Sequence, residues 1–143
     1  MSALPEGYRL SFDPGDVDVA AAHAFLSRSY WATGIPLATV ERALRHSLTC
    51  TVHDSNGQIG MARVISDYAT FAYLADVYVL EGHRGWGIAQ AMLGAVQNHP
   101  ELQGFKHWLL FTRDAQSLYA KTGWQMLSKP EWTMMRSFPD VYS

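Results

Sequence analysis

Cysteine occurs once in this chain, at Cys50, so no disulfide can form within it, and no partner base stands beside that thiol to mark a nucleophile. The stretch from Met1 to Leu10 has neither a basic cluster nor a long apolar core. No apolar run anywhere approaches the ~18 residues needed to cross a bilayer. No membrane partner is therefore expected, and a cytoplasmic location follows. Charge is sparse as well: charged residues make up 17% of the chain, the net charge is -2, and Lys and Arg are scattered, which leaves no footprint for nucleic acid. His23, His46, His53, His83, His99 and His107 include no i, i+4 pair and no neighbouring cysteine, so no metal site is expected. Repeats, linkers and low-complexity stretches are lacking too, and the 48% hydrophobic content suffices for a core, so residues 1–143 are read as one domain.

What is there is an alternation of strand-like and helix-like segments. Tyr8 to Phe12 alternates apolar and polar residues, and Pro14-Gly15-Asp16 supplies a turn and a cap for a helix starting near Val17, whose Val17, Ala21, Ala24 and Phe25 share a face. Leu37 to Arg45 is a second helix. Leu48 to His53 and Gln58 to Ser66 read as strands joined at Asn56-Gly57, the strongest turn signal of the chain. Phe71 to Leu80 is apolar almost throughout, as a central strand covered on both faces would be. Ile88, Ala91, Met92, Ala95 and Val96 give the next helix one apolar face, which Pro100 closes. Trp108 to Phe111 is a short strand, Asp114 is placed to cap a brief helix that Gly123 ends, and strands near Trp124 to Leu127 and Thr133 to Arg136 complete the list. The fold expected is α+β, layered α/β/α, with about six to seven mostly antiparallel, twisted strands flanked by about four helices.

The junction Arg84-Gly85-Trp86-Gly87-Ile88-Ala89 carries the chemistry, because it joins the central strand to a helix. The first helical turn has backbone N–H groups without intrahelical partners and the positive end of the peptide dipoles. Two glycines let the main chain approach a ligand, and Arg84 adds a charge suited to phosphate. A dinucleotide fingerprint read from Gly85 fails at Gln90, which stands where a small residue is needed, and no P-loop run exists.

Arg84-Gly85-Trp86-Gly87-Ile88-Ala89 fits Arg-x-x-Gly-x-Ala, which resembles the acyl-CoA loop of the GCN5-related N-acetyltransferases (GNAT). A second block, Thr112 to Trp124, resembles that family's later signature of Ala, Leu-Tyr, then Gly and an aromatic residue, in the family's order and at about its spacing. The resemblance covers most of the chain, weakening before Val17 and after Pro130, and it implies acetyl-CoA as the donor, with direct transfer to an amine. It further implies that Arg84, Gly85, Trp86, Gly87, Ile88, Ala89 and Gln90 hold the pyrophosphate, and that the backbone of Val77 and Val79 pairs with the pantetheine arm. Thr112 stands where many members have Asn touching that arm, Asp114 opens the block that completes the cofactor site, and Tyr119 matches the tyrosine that protonates the departing thiolate. Trp124 replaces the more usual Phe.

Asp76 is the one charged residue in the central strand. It reads either as a base for the incoming ammonium or as a carboxylate partnered by backbone or Arg63. Tyr30 and Trp31, in the connection between the first two helices, and Tyr73 are read as substrate-binding, suited to an apolar or aromatic acceptor, with anchoring of the loop as the other reading; Tyr68 is taken to face the same cleft. Arg113 and His83 read as solvated surface residues, with CoA phosphates as the alternative. The expected function is acetylation of a primary amine on a small molecule. A non-catalytic acyl-CoA sensor and a protein or peptide acetyltransferase are the alternatives. Exposed sheet edges and five tryptophans are compatible with a homodimer.

Overall fold

Each turn of the chain is set by a short polar signal, and the strands between them fall into one sheet in sequence order. The structure is a computed structural model describing residues 3–143, so the first two residues of the expected domain lie outside it. β1 (Arg9–Ser11), β2 (Leu48–Asp54), β3 (Gly57–Ser66) and β4 (Phe71–Val79) run antiparallel, and β5 (His107–Leu110) lies parallel to β4 at the sheet's end. The β2–β3 hairpin turns through Ser55-Asn56 as the Asn56-Gly57 signal requires, with the Asp54 carboxylate accepting from Asn56 N–H at 2.7 Å.

Four helices flank the sheet: α1 (Val19–Leu26), α2 (Leu37–Arg45), α3 (Ile88–Gln97) and α4 (Gln116–Ala120). Asp18 caps α1 by accepting from Ala21 N–H at 2.9 Å, so the cap sits two residues beyond the expected Pro14–Asp16, which forms a 3-10 turn instead. Asp114 does not cap α4: the N-cap is Ala115, which has no side-chain cap bond, and the Thr112 hydroxyl accepts from Ala115 N–H at 3.0 Å in the turn just ahead of the helix. α2 is amphipathic, burying Val40 and Leu44 while Glu41 and Arg45 pair on its outer face at 3.5 Å.

Among the described residues the sheet has five strands, fewer than the six to seven expected. Trp124 to Leu127 and Thr133 to Arg136 have suitable composition but no neighbour to ladder with, and a strand exists only through its partner. Met126 and Met134 are accordingly 79% and 95% exposed.

The sheet separates two apolar layers. α1 and α2 cover one face through Ala22, Leu26, Val40 and Leu44 against Met61 and Tyr78. α3 and α4 cover the other through Ile88, Met92, Leu93, Val96 and Tyr119 against Cys50, Ala62, Leu74 and Val79. Cys50 is fully buried, and desolvation pushes its thiol up to about 12.

β4 changes phase between these layers. Ala72 and Leu74 face α3, and a strict period of two would send Tyr78 the same way, yet Val79 faces α3 and Tyr78 faces α1. The register explains it: Arg63 pairs with Ala75 and Met61 with Tyr78, so Asp76 and Val77 together oppose Ala62. Asp76, at φ 54, is the residue that takes up this β-bulge. A left-handed conformation costs a non-glycine residue on the order of 1–2 kcal/mol, least for Asn and Asp.

Candidate active site

The β4–β5 ladder begins at Phe71↔His107 and ends at Leu74↔Leu110. Beyond it β4 bends through the Asp76 bulge while β5 runs into Phe111–Asp114 and α4, so two parallel strands part where their side chains would otherwise meet. A cavity of about 930 Å³ opens there, bounded by β4, the α1–α2 connection, the segment after β5 and α4.

Asp76 lines this cavity with both carboxylate oxygens engaged. Oδ2 accepts from Arg63 Nε at 2.7 Å and Oδ1 from Trp31 Nε1 at 2.8 Å. The ion pair is largely buried, with side chains 15% and 12% exposed, and Arg63 also donates to the Ser47 hydroxyl at 3.1 Å. Of the two sequence readings, partnership with Arg63 is what the geometry displays. The carboxylate still has acceptor capacity for a further donor from the cavity, since it can accept about four hydrogen bonds.

Tyr119 enters from α4 and reaches the same cavity. It is 9% exposed, with its ring edge-on to Trp124 at 6.1 Å. Burial first, and the nearby Tyr30 second, push its hydroxyl up to about 12, so it holds its proton firmly. Trp124 is fixed in turn by a hydrogen bond from Nε1 to Gln97 on α3 at 3.0 Å and by edge contact with Trp108. The larger indole thus packs where the resemblance expected a phenyl ring.

The glycine turn sits at the far end of β4. Gly85 and Gly87 have φ 84 and 82, values side chains rarely tolerate, and Gly87 is the N-cap of α3 with no side-chain cap bond. A Cβ at Gly85 would meet nothing within 4 Å, so the glycine is required by backbone conformation and the space beside it is open. Trp86 between them is 66% exposed. Arg84 is folded back, its Nε donating to the Val79 carbonyl at 2.8 Å, which fixes the guanidinium to the end of the strand but engages one of the backbone groups expected to meet pantetheine. Ile88 is buried core, Ala89 is partly buried against the same core, and Gln90 lies in the first turn of α3.

Tyr30, Trp31 and Tyr73 all line the cavity, as expected. Tyr30 stands edge-on to Trp31 at 5.1 Å and accepts from Arg113 N–H at 3.1 Å, and the Arg113 guanidinium lies 3.8 Å from its ring centroid. Arg113 thus stacks on Tyr30 at the cavity's rim while its side chain stays 68% exposed, in keeping with the surface reading. Tyr73 faces Phe111 at 5.6 Å, and burial pushes its hydroxyl up. Tyr68 does not line the cavity and stands 48% exposed at φ 62. His83 is not a free surface group: Nδ1 shares a 2.6 Å hydrogen bond with the Tyr8 hydroxyl and Nε2 lies 3.7 Å from Asp54. Phe111, Met126 and Tyr142 were missed in the sequence. Tyr142 lies almost at the chain's end, and no local signal links it to Gly34, beside which its backbone packs.

Among the described residues no cluster of His, Cys, Asp and Glu is suited to a metal ion, and no helix is long and apolar enough to cross a membrane.

A family model described as acetyltransferase (GNAT) domain matches residues 45–126, more than half of the chain. A presumed acetyltransferase of Gibberella zeae is 33% identical over 137 residues, covering 80% of this chain and 76% of that one. The crystal structure of a presumed GNAT-family acetyltransferase from Xanthomonas campestris pv. campestris is 44% identical, covers 99% of both chains and superposes with a TM-score of 0.93. A presumed acetyltransferase of Clostridium acetobutylicum, whose crystal structure contains acetyl-CoA, shares the fold at 20% identity and a TM-score of 0.66, covering 90% of this chain and 94% of that one.

Proposed function

Because the chain belongs to the GNAT acetyltransferase family and is an acyltransferase enzyme, we propose that residues 1–143 act as one domain that acetylates the primary amine of a small apolar or aromatic molecule. The observation that carries this reading is the meeting of Tyr119 and Asp76 on one cavity, at the point where β4 and β5 part.

Acetyl-CoA supplies the acetyl group as a thioester, and transfer forms a C–N bond as the C–S bond breaks. The slot beside residues 75–79 of β4, where β5 no longer pairs, suits an extended arm lying along the strand through Val77 and Val79. The open space at Gly85, the first turn of α3 from Ile88 to Gln90, Trp86 and the anchored Arg84 suit the pyrophosphate end. Thr112 and Asp114 bound the slot on the β5 side.

Tyr119 keeps its proton across the physiological range and donates it to the departing sulfur. Asp76, steadied by Arg63 and Trp31, accepts a hydrogen bond from the incoming ammonium and takes its proton, directly or through water. Tyr30, Trp31, Tyr73 and Phe111 form the wall against which an apolar or aromatic body packs. The acidic groups on the lining are each paired, Asp76 with Arg63 and Asp114 with Arg113 at 3.6 Å, which disfavours a polycationic acceptor or a lysine-rich tail.

The test is release of free CoA from acetyl-CoA with aryl-alkyl amines, polyamines and lysine peptides. Aryl-alkyl amines are expected to turn over fastest, and Tyr119→Phe to lower kcat about 100-fold with acetyl-CoA affinity unchanged. Preference for the peptides would replace the small-molecule reading. Tight acetyl-CoA binding without turnover on any amine would replace the enzyme reading with a sensor.

A further inference from the structure

Arg63, which steadies Asp76, has donors to spare. It pairs with Ala75 across the β3–β4 ladder and stands two residues from Met61, which puts it on the sheet face covered by α1 and α2. The bulge turns Asp76 onto that face as well, and the two side chains meet at 2.7 Å through Nε. Nη1 reaches away to the Ser47 hydroxyl, just past the end of α2, at 3.1 Å. Nη2 donates to no group among the described residues. It is not sealed either: among those residues Thr49 Oγ1 is the one buried side-chain nitrogen or oxygen without a partner, so Nη2 opens onto the cavity that Arg63 lines.

The lining around this guanidinium is balanced in charge. Its charged residues are Arg63, Asp76, Arg113 and Asp114, and each cation faces an anion. A bare ammonium drawn to Asp76 would add an uncompensated positive charge beside Arg63 in a partly enclosed space, whereas a molecule with its own carboxylate adds none. Arg113 is the poorer partner for that carboxylate, being 68% exposed, paired with Asp114 and stacked on Tyr30. The wall nearest the Arg63–Asp76 pair is aromatic. Trp31 donates to Asp76 with Tyr30 edge-on to it, and the Tyr73 hydroxyl is raised by burial first and Asp76 second while Arg63 lowers it, which sets that ring near both charges.

We propose that the acceptor is an α-amino acid with an aromatic side chain, its ammonium received by Asp76, its carboxylate by Arg63 Nη2 and its ring by Tyr30, Trp31 and Tyr73. The two charged groups of such a molecule share one carbon, which suits two protein side chains joined at 2.7 Å. A guanidinium edge also fits a carboxylate better than any other anion acceptor of this size. This assignment rests on amine acetylation at the Tyr119–Asp76 cavity and names its substrate class. The products are the N-acetyl amino acid and the CoA thiol: the nitrogen gives one proton to Asp76 and on to solvent, and a second replaces the proton that Tyr119 gives to sulfur as the C–S bond breaks. The product keeps its carboxylate but has lost its ammonium, so it no longer balances Asp76 and leaves.

Phenylalanine, phenylalaninamide and phenethylamine share a ring and an amine, and the first alone carries the carboxylate. At saturating acetyl-CoA the wild-type kcat/KM for phenylalanine is expected to exceed that for either analogue by on the order of 100-fold, because a site with a charged donor is left unpaired by a ligand without the acceptor. Calorimetric titration of the three in the presence of CoA is expected to give the same order of Kd, a readout that needs no turnover. Arg63→Lys, which keeps a cation beside Asp76 and loses the planar fork, is expected to cut the phenylalanine-to-phenethylamine ratio about 10-fold, whatever it does to either rate. Equal kcat/KM for phenylalanine and phenethylamine, or a ratio that Arg63→Lys leaves unchanged, would overturn the carboxylate assignment and leave amine acetylation standing. Phenylalanine that binds in the expected order yet is never acetylated would instead overturn amine transfer at this site, and the acceptor with it.

Discussion

The two ends of β4 have opposite duties. From Ala72 to Leu74 the strand is laddered on both sides, to β3 and to β5, with Ala72 and Leu74 sealed under α3. From Ala75 to Val79 it keeps β3 alone, carries a left-handed Asp76 and borders the cavity. The first half is held by packing and a complete set of ladder bonds. The second gives up one ladder and accepts backbone strain, and the Arg63–Asp76–Trp31 connection holds the opened strand in place. Tyr73 of the first half also reaches the cavity, but the ladder and the bulge can each be disturbed alone.

Leu74→Ala tests the sealed half. Leu74 is 2% exposed, so truncation is expected to cost about 3 kcal/mol in denaturant unfolding, with turnover per folded molecule retained. Loss of turnover without loss of stability would show that the two halves are not separate. Asp76→Ala tests the clamp in the open half: it strands the Arg63 guanidinium and is expected to cost about 2 kcal/mol, less than a fully buried pair because both groups retain some exposure. Asp76→Asn, which still accepts from Trp31 and tolerates a positive φ, is expected to recover most of that stability while turnover stays low. Full activity in Asp76→Asn would remove the proton-accepting role. At the far end of the open half, Arg84→Ala is expected to raise the KM for acetyl-CoA about 10-fold with little change in melting temperature. An unchanged KM would assign Arg84 to holding Val79 alone.

The smallest effect is a control away from β4. His53 on β2 is buried beside Thr51, and desolvation chiefly, then Arg9, hold its imidazole below the ordinary value. The unfolded chain takes up this proton more readily than the folded one. The contribution is therefore complete above the ordinary histidine range of about 6.5 and is lost as pH falls below it. His53→Gln is expected to flatten the fall in melting temperature between about pH 7 and pH 5 without altering turnover.

The glycine turn, Tyr119 and the first five strands were legible because each rests on a local pattern: αL-demanding glycines, Leu-Tyr ahead of Gly123, apolar runs between turn signals. The Asp76 bulge was not. A strand apolar on both faces has no alternation, so nothing in Phe71 to Val79 marks where its phase changes. The cap of α1 was misplaced by two residues because Asp16 and Asp18 offer equivalent oxygens and backbone geometry chooses between them, and α4 forms with no side-chain cap at all. The two missing strands show the opposite failure. Their composition suits a strand, but neither segment pairs with a strand of the sheet, and composition alone does not supply that pairing.

The burial of Cys50 has a practical side. With its only thiol sealed beneath α3 and its pKa raised by burial, the native protein is expected to be silent to thiol reagents. A colorimetric reagent added to a running reaction then reads liberated coenzyme against a blank background, and any cysteine introduced on the surface becomes a unique handle for a dye or spin label.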